Sequence, residues 1–200
     1  MRIYFSHTPV RHLNMKYPEL TTERLLLRST SEADIDAIYS IFSDPDVTRY
    51  YDIDPITSLE QASQIIESYS QLYASGSGVR WGIVRREDFQ LIGTCGYFGR
   101  NRDFKSASIG YDLAKTQWGM GIMQEALSSI LEFGFQEFSL NRIQATTDLD
   151  SSRSISKLRR LGFQGEGILR QYGYWKGKFH DVRCFSLLQS DQAAGVYRAS

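Results

Sequence analysis

The sequence predicts a mixed α/β (α+β) fold: a mostly antiparallel sheet of about seven strands, flanked by four helices, with one parallel pair of strands near its middle. Three observations carry that expectation. Residues 80–113 hold three strand-like runs separated by short polar turns, the pattern of sequential antiparallel pairing. Residues 106–148 read as strand, glycine turn, amphipathic helix and strand, a spacing that calls for a crossover between parallel strands. The chain then closes on a long hairpin, residues 165–188, around Lys176-Gly177-Lys178.

In chain order, residues 1–18 show no clear period and read as an N-terminal extension. Residues 20–28 form a first strand, and Ser31 with Asp34 is a helix-start signal ahead of Ala33, Ile35, Ile38, Tyr39 and Phe42. That helix ends before Asp44-Pro45, and an aromatic and acidic loop follows, Tyr50-Tyr51-Asp52-Ile53-Asp54-Pro55. Ser58, with Gln61 three residues on, starts a second helix whose apolar stripe runs through Ala62, Ile65, Ile66, Tyr69 and Tyr73. After the three strands, a third helix from about Gly121 to Glu137 is apolar over a broad face, as a helix packed hard on a sheet must be. Residues 141–148 make a strand, and a fourth helix after Asp150-Ser151-Ser152 turns Ile155, Leu158 and Leu161 inward. The domain proper spans residues 19–189, and residues 190–200 read as a tail.

Composition narrows the function. The chain has 200 residues, 42% hydrophobic and 23% charged, with no net charge, so no overall basic field recommends a nucleic-acid partner. No apolar run approaches the roughly 20 residues that span a bilayer, and the N-terminus is a poor signal peptide. These features point to a cytoplasmic protein with no membrane partner. Cys95 and Cys184 sit in apolar strand-like runs, and nothing requires them to pair. No His or Cys spacing suggests a metal.

The most informative stretch is Trp118-Gly119-Met120-Gly121-Ile122-Met123, between a strand and a helix. Two glycines at alternate positions let the backbone approach a bulky ligand and leave several N–H groups pointing outward. With a helix dipole behind them, such amides suit a phosphate or pyrophosphate; the plainer reading is a tight turn with no ligand.

The order of elements and motifs resembles the GNAT acetyltransferases, in particular the branch holding the ribosomal-protein N-terminal acetyltransferases (RimJ/RimL-like). The resemblance covers residues 20–188. It rests on Leu-Thr-Thr-Glu-Arg-Leu-Leu-Leu-Arg in the first strand, Ile-Gly-Tyr-Asp-Leu before the turn, Trp-Gly-Met-Gly with Glu125-Ala126, Leu-Gly-Phe, Glu166-Gly167, and Gly177 followed by Asp181. It implies acetyl-CoA as co-substrate, in a cleft where strands 106–113 and 141–148 splay apart. The pantetheine arm is expected along the backbone of Tyr111, Asp112 and Leu113, and the pyrophosphate on Trp118, Gly119, Met120, Gly121, Ile122 and Met123, with Ser151 and Ser154 nearby. The chain departs from the family's pattern at Trp118, as its branch often does, at Ser151, where Asn is common, and in three further places. Met123 stands at the last turn position, Leu158 where many members carry a tyrosine proposed to protonate the departing thiolate, and Ser108 where relatives often carry a glutamate.

Acetyl transfer from a thioester to an amine needs a neutral amine, a donor to the oxyanion and a stabilised thiolate. A lysine amine titrates near about 10.4 and an α-amine near about 8, so an N-terminal acceptor asks less of a base. The resemblance makes Ser154 the candidate to protonate the thiolate, against a structural role in the first turn of its helix. Glu166 is a candidate base or else an ion-pair partner of Arg170. Tyr111 is a candidate hydroxyl near the acceptor or a core residue. Tyr50, Tyr51, Asp52 and Asp54 are expected to line the acceptor cleft, or else to form a solvated loop. Arg153, Lys157, Arg159 and Arg160 are available to the CoA 3′-phosphate, although such a run is more often a solvated face. The expected function is acetyl transfer to a protein N-terminus by direct attack, with a small amine as the next acceptor and room for a homodimer. A catalytically silent acyl-CoA-binding regulator is the alternative, motivated by Leu158, Ser108 and Met123.

Overall fold

The computed structural model describes residues 17–193. Residues 1–16 and 194–200, which hold most of the expected extension and tail, lie outside the described residues. The strands are β1 (Leu20–Thr21), β2 (Leu25–Arg28), β3 (Val79–Arg85), β4 (Leu91–Asn101), β5 (Ser106–Leu113), β6 (Arg142–Asp148), β7 (Gln164–Trp175) and β8 (Lys178–Leu188). They form one sheet in the order β1-β2-β3-β4-β5-β6-β8-β7, antiparallel throughout except for β5 and β6. The helices are α1 (Ile35–Phe42), α2 (Pro45–Thr48), α3 (Leu59–Ala74), α4 (Ile122–Gln136), α5 (Ser152–Arg160) and α6 (Gln189–Ala193).

Each main element follows from its sequence. Ser31 and Asp34 form a capping box, as do Ser58 and Gln61, so both N-termini start where polar side chains satisfy the first amides. Along β6, Ile143 and Ala145 point into the core while Gln144 and Thr146 do not, the alternation of a strand covered on one face. The sheet carries a core on each side: α4 and α5 cover Val79, Trp81, Ile83, Ile109 and Ile143, and α1, α2 and α3 cover Val84 and Leu91.

The sequence led to about seven strands and four helices; the described residues form eight and six. The added strand arises because the chain reverses at residues 22–24 and folds 20–28 into an antiparallel pair, a turn held by Glu125 of α4, which accepts hydrogen bonds from Thr22 Oγ1 (2.5 Å), Arg24 N (2.9 Å) and Arg24 Nε (2.6 Å). The two added helices, α2 and α6, are about one turn long, too short to show a helical period. Asp44 caps α2 by accepting from Asp46 N at 2.8 Å.

The parallel pair positions everything that follows. β5 pairs with β6 only at Ser106↔Arg142, Ala107↔Ile143 and Ser108↔Gln144. Both strands continue, to Leu113 and Asp148, with no further pairing. They splay apart after Ser108, and the opening faces the start of α4.

Candidate active site

The turn into α4 is built by two glycines in left-handed backbone, Gly119 at φ 83° and Gly121 at φ 75°. Other L-residues reach that region only with strain. The first helical bond of α4 runs from Glu125 N to Gly121 O, and no hydrogen bond within the described residues engages the amides of Gly119, Met120, Gly121, Ile122 or Met123. These amides sit at the positive end of a 15-residue helix, the arrangement that holds a diphosphate. Met123 does not crowd them, because its side chain is 2% exposed in the core beneath α4. Arg24 reaches over from β1–β2, donating from Nη1 to Met120 O at 2.9 Å while it pairs with Glu125. Sequence reasoning missed this clamp. Its signal was present in the two distant motifs Thr22-Glu23-Arg24 and Glu125-Ala126, which the fold joins.

In the splay, the backbone of β5 alternates. Ala114 N donates to Ile92 O of β4, so the main-chain groups of Tyr111 and Leu113 face the opening instead. Both carbonyls are engaged: Tyr51 OH donates to Tyr111 O, and Trp118 Nε1 donates to Leu113 O at 2.9 Å. Asp112 points to the other face of the sheet. Its carboxylate is buried among Arg80, Thr94 N (3.0 Å) and Thr94 Oγ1 (2.7 Å), and Arg80 Nη2 completes the pair. Burial alone would lower the Arg80 pKa, but Tyr69 and Asp112 outweigh it and keep the guanidinium charged.

Two of the sequence candidates meet in the opening. Tyr111, from β5, and Ser154, from the first turns of α5, lie hydroxyl to hydroxyl at 2.5 Å. Burial pushes the Tyr111 phenol up to about 12, only partly offset by Ser154, so it holds its proton at neutral pH. Leu158 is fully buried below them. Ser151 stands at the N-cap of α5 without a capping hydrogen bond from its side chain. Arg153 stacks over the Trp118 ring at 4.6 Å, which places that flank of α5 beside the donor turn.

Glu166 does not join this pair. It takes Arg142 rather than Arg170 as its partner, accepting from Arg142 Nη1 at 2.7 Å and Ser186 Oγ at 2.7 Å. The Arg142 guanidinium, then Ser186, hold its pKa at about 2, which makes it a weak proton acceptor. Asp181 accepts from the Gln171 amide at 2.7 Å, a structural role. In the acidic loop Tyr51 reaches into the splay, whereas Tyr50, Asp52 and Asp54 remain exposed. Lys176 of the terminal hairpin ties down the preceding backbone by donating to Thr48 O at 2.7 Å. Cys95 and Cys184 are free and buried. Among the described residues no three His, Cys, Asp or Glu side chains converge as a metal site, and no helix is long and apolar enough to cross a membrane.

A splayed parallel pair with a glycine-rich helix start at its mouth is the arrangement expected where acetyl-CoA is the acyl donor. The family model for the acetyltransferase (GNAT) domain matches residues 24–164, and the chain belongs to that family. It is 38% identical over 173 residues to the uncharacterized N-acetyltransferase YoaA of Bacillus subtilis, covering 86% of this chain and 98% of that protein. It is 40% identical over 174 residues to the uncharacterized N-acetyltransferase p20 of Bacillus licheniformis, covering 87% and 98%. Its fold matches that of RimL, a ribosomal L7/L12 α-N-protein acetyltransferase solved with coenzyme A, at TM-score 0.74 and 23% identity over 84% of this chain and 95% of that one. The chain is an N-acetyltransferase that uses acetyl-CoA as co-substrate.

Proposed function

We propose that the acetyl group goes by direct attack to a primary amine, in first place the α-amine of a protein N-terminus and in second place a small-molecule amine. The observation that carries this reading is the Tyr111–Ser154 hydroxyl pair at the splay. The donor supplies a thioester carbonyl to be attacked and a thiolate that must leave. The free amides from Gly119 to Met123 hold the donor's diphosphate. Ser154 Oγ–H gives its proton to the departing sulfur, Tyr111 Oη–H orients that hydroxyl by donating to Ser154 Oγ, and solvent, which takes the amine's proton, returns one to Ser154. Because the phenol titrates near 12, the pair stays protonated over the working range. No covalent enzyme intermediate is required: a C–N bond forms, the C–S bond breaks, the amine loses its proton to solvent and the sulfur gains one.

The acceptor assignment rests on what the site lacks. Ser108 stands in the strand where a glutamate base is expected of relatives, and Glu166 is engaged by Arg142. An α-amine, near about 8, needs little help to lose its proton, whereas a lysine amine near about 10.4 needs a base. The exposed carboxylates of Asp52 and Asp54 draw the cationic form to the cleft. RimL's α-amine chemistry, on the same fold, supports this choice. Release of CoA with a panel of peptides bearing free or blocked N-termini, set beside lysine-only peptides and polyamines, tests it. Turnover confined to lysine side chains would overturn the N-terminal reading.

A further inference from the structure

The flank of α5 next to the one over Trp118 carries a second set of cations. Arg153 marks the donor side, lying over Trp118. Ser152, Ile155, Ser156 and Arg159 recur at three- and four-residue spacing on the adjoining flank. With Arg160, and with Arg183 from β8, they line a cavity of about 570 Å³. No carboxylate lines it. The ion pairs of the described residues belong to Arg24, Arg28, Arg80, Arg85, Lys115 and Arg142, so these three arginines have no internal counter-ion.

Two buried polar atoms sharpen the picture. Arg183 Nε is buried without a hydrogen-bond partner, and so is Thr147 Oγ1, on a residue only 7% exposed. The two residues lie directly opposite each other in the β6–β8 register, hence on the same face of the sheet. Buried donors are nearly always paired, and each orphan costs free energy that a ligand would restore. Guanidinium forks match the oxygens of a phosphate group two at a time, and three of them around one cavity suit a dianion.

We propose that this cavity between α5 and β8 is a binding site for a phosphate-bearing small molecule, separate from the donor's diphosphate. Arg159 and Arg160 provide exposed forks and Arg183 the third guanidinium, with Ser152 and Ser156 beside them.

The test titrates the full chain with inorganic pyrophosphate by calorimetry while CoA saturates the donor turn. Saturable binding should persist under CoA and weaken about tenfold or more in both Arg159→Gln and Arg160→Gln, the loss expected for a charge-assisted contact. Both positions are solvent-exposed, so the variants should melt as the parent does. Abolition of pyrophosphate binding by CoA, or unchanged affinity in both variants, would overturn the proposal. Comparing CoA with 3′-dephospho-CoA closes the remaining route: variants that weaken CoA but not its dephospho form would make the cavity the seat of the donor's own 3′-phosphate, and the separate site would fall. Parallel titrations with inorganic phosphate and a phosphate monoester then tell the free ion from the ester.

Discussion

Removing the Ser154 hydroxyl should slow turnover without loosening the donor. The hydroxyl pair is a single 2.5 Å contact between β5 and α5, so each partner can be deleted alone. Positioned general acids contribute about 10²–10⁴ in rate, and a thiolate leaves readily enough to put this one at the lower end, about 10²-fold or about 2.7 kcal/mol. Tyr111→Phe deletes only the bond that orients Ser154, about 0.5–1.5 kcal/mol, and should cost about two- to tenfold in kcat. If the two act as one unit, the double variant should fall no further than Ser154→Ala alone. The assay is CoA release with a confirmed acceptor, read as kcat and KM separately, with the thermal shift by acetyl-CoA as the check on donor binding. The pH dependence gives a further constraint. A phenol raised to about 12 keeps its proton well above neutrality, so any alkaline loss of kcat seen below about pH 10 should survive in Tyr111→Phe. A Ser154→Ala enzyme retaining more than about a third of kcat, or single effects that multiply in the double variant, would refute the relay.

Other positions answer to simpler measurements. Gly121→Ala places a Cβ on backbone at φ 75°, so it should destabilise the fold by about 1–2 kcal/mol and weaken acetyl-CoA binding; a melting curve and a donor titration that both match wild type would contradict the role given to the turn. Tyr51→Phe frees the Tyr111 carbonyl and should tighten CoA binding about two- to tenfold if the pantetheine arm takes that acceptor; weaker binding would mean that the hydroxyl stays and assists. The Glu166 carboxylate falls from an ordinary 4.5 to about 2, so its contribution is complete above pH 4.5 and is lost as pH drops toward 2. Its side chain is 41% exposed, so screening holds the benefit to about 1 kcal/mol, and Glu166→Gln should flatten acid denaturation over that range while leaving stability above pH 5 about 1 kcal/mol lower.

Much of this was legible in the sequence because it rests on local chemistry. The capping boxes at Ser31 and Ser58, the alternation along β6 and the glycines before α4 each declare themselves within a few residues. Ser154 and Tyr111 were singled out separately, but their contact was not legible, since it joins positions 43 apart across a strand and a helix. The same holds for Glu166, where a nearby arginine, Arg170, drew attention and the sheet register delivered Arg142 instead. Tyr51 was expected at the acceptor end. A side chain leaving an irregular loop has no periodicity to fix its direction, and its bond to the Tyr111 carbonyl in the splay was not legible. The arginines of α5 read as one charge run; only the tertiary packing sets Arg153 over Trp118 and brings Arg159 and Arg160 to a cavity with Arg183.

Glu125 shows why the break in the first strand and the shape of the donor turn are one event. A helix start that offers its amides to a ligand cannot cap itself with them, and α4 begins at a left-handed glycine that brings no side chain to do so. The rigidity has to come from outside the helix. Glu125, one turn in and largely buried, accepts from the Thr22 hydroxyl and from the Arg24 backbone and side chain, and Arg24 returns to bond Met120 O within the turn. Residues 22–24 are the tight turn that joins β1 to its antiparallel neighbour β2, and that turn presents the donors of the clasp. Burial pushes the Glu125 carboxyl up, but hydrogen bonds from the Thr22 hydroxyl and from the Arg24 amide and guanidinium outweigh it and hold the pKa below the ordinary carboxylate value, so the clasp is ionised at neutral pH. Glu125→Ala would therefore act twice. It should lower stability by about 2–3 kcal/mol through three lost charge-assisted bonds, and it should release the turn to which we assign the diphosphate. Differential scanning of the variant with and without saturating CoA separates the two: a lowered Tm with an undiminished CoA-induced rise would show that the turn keeps its form without the clasp, and that the glycines alone define the donor site.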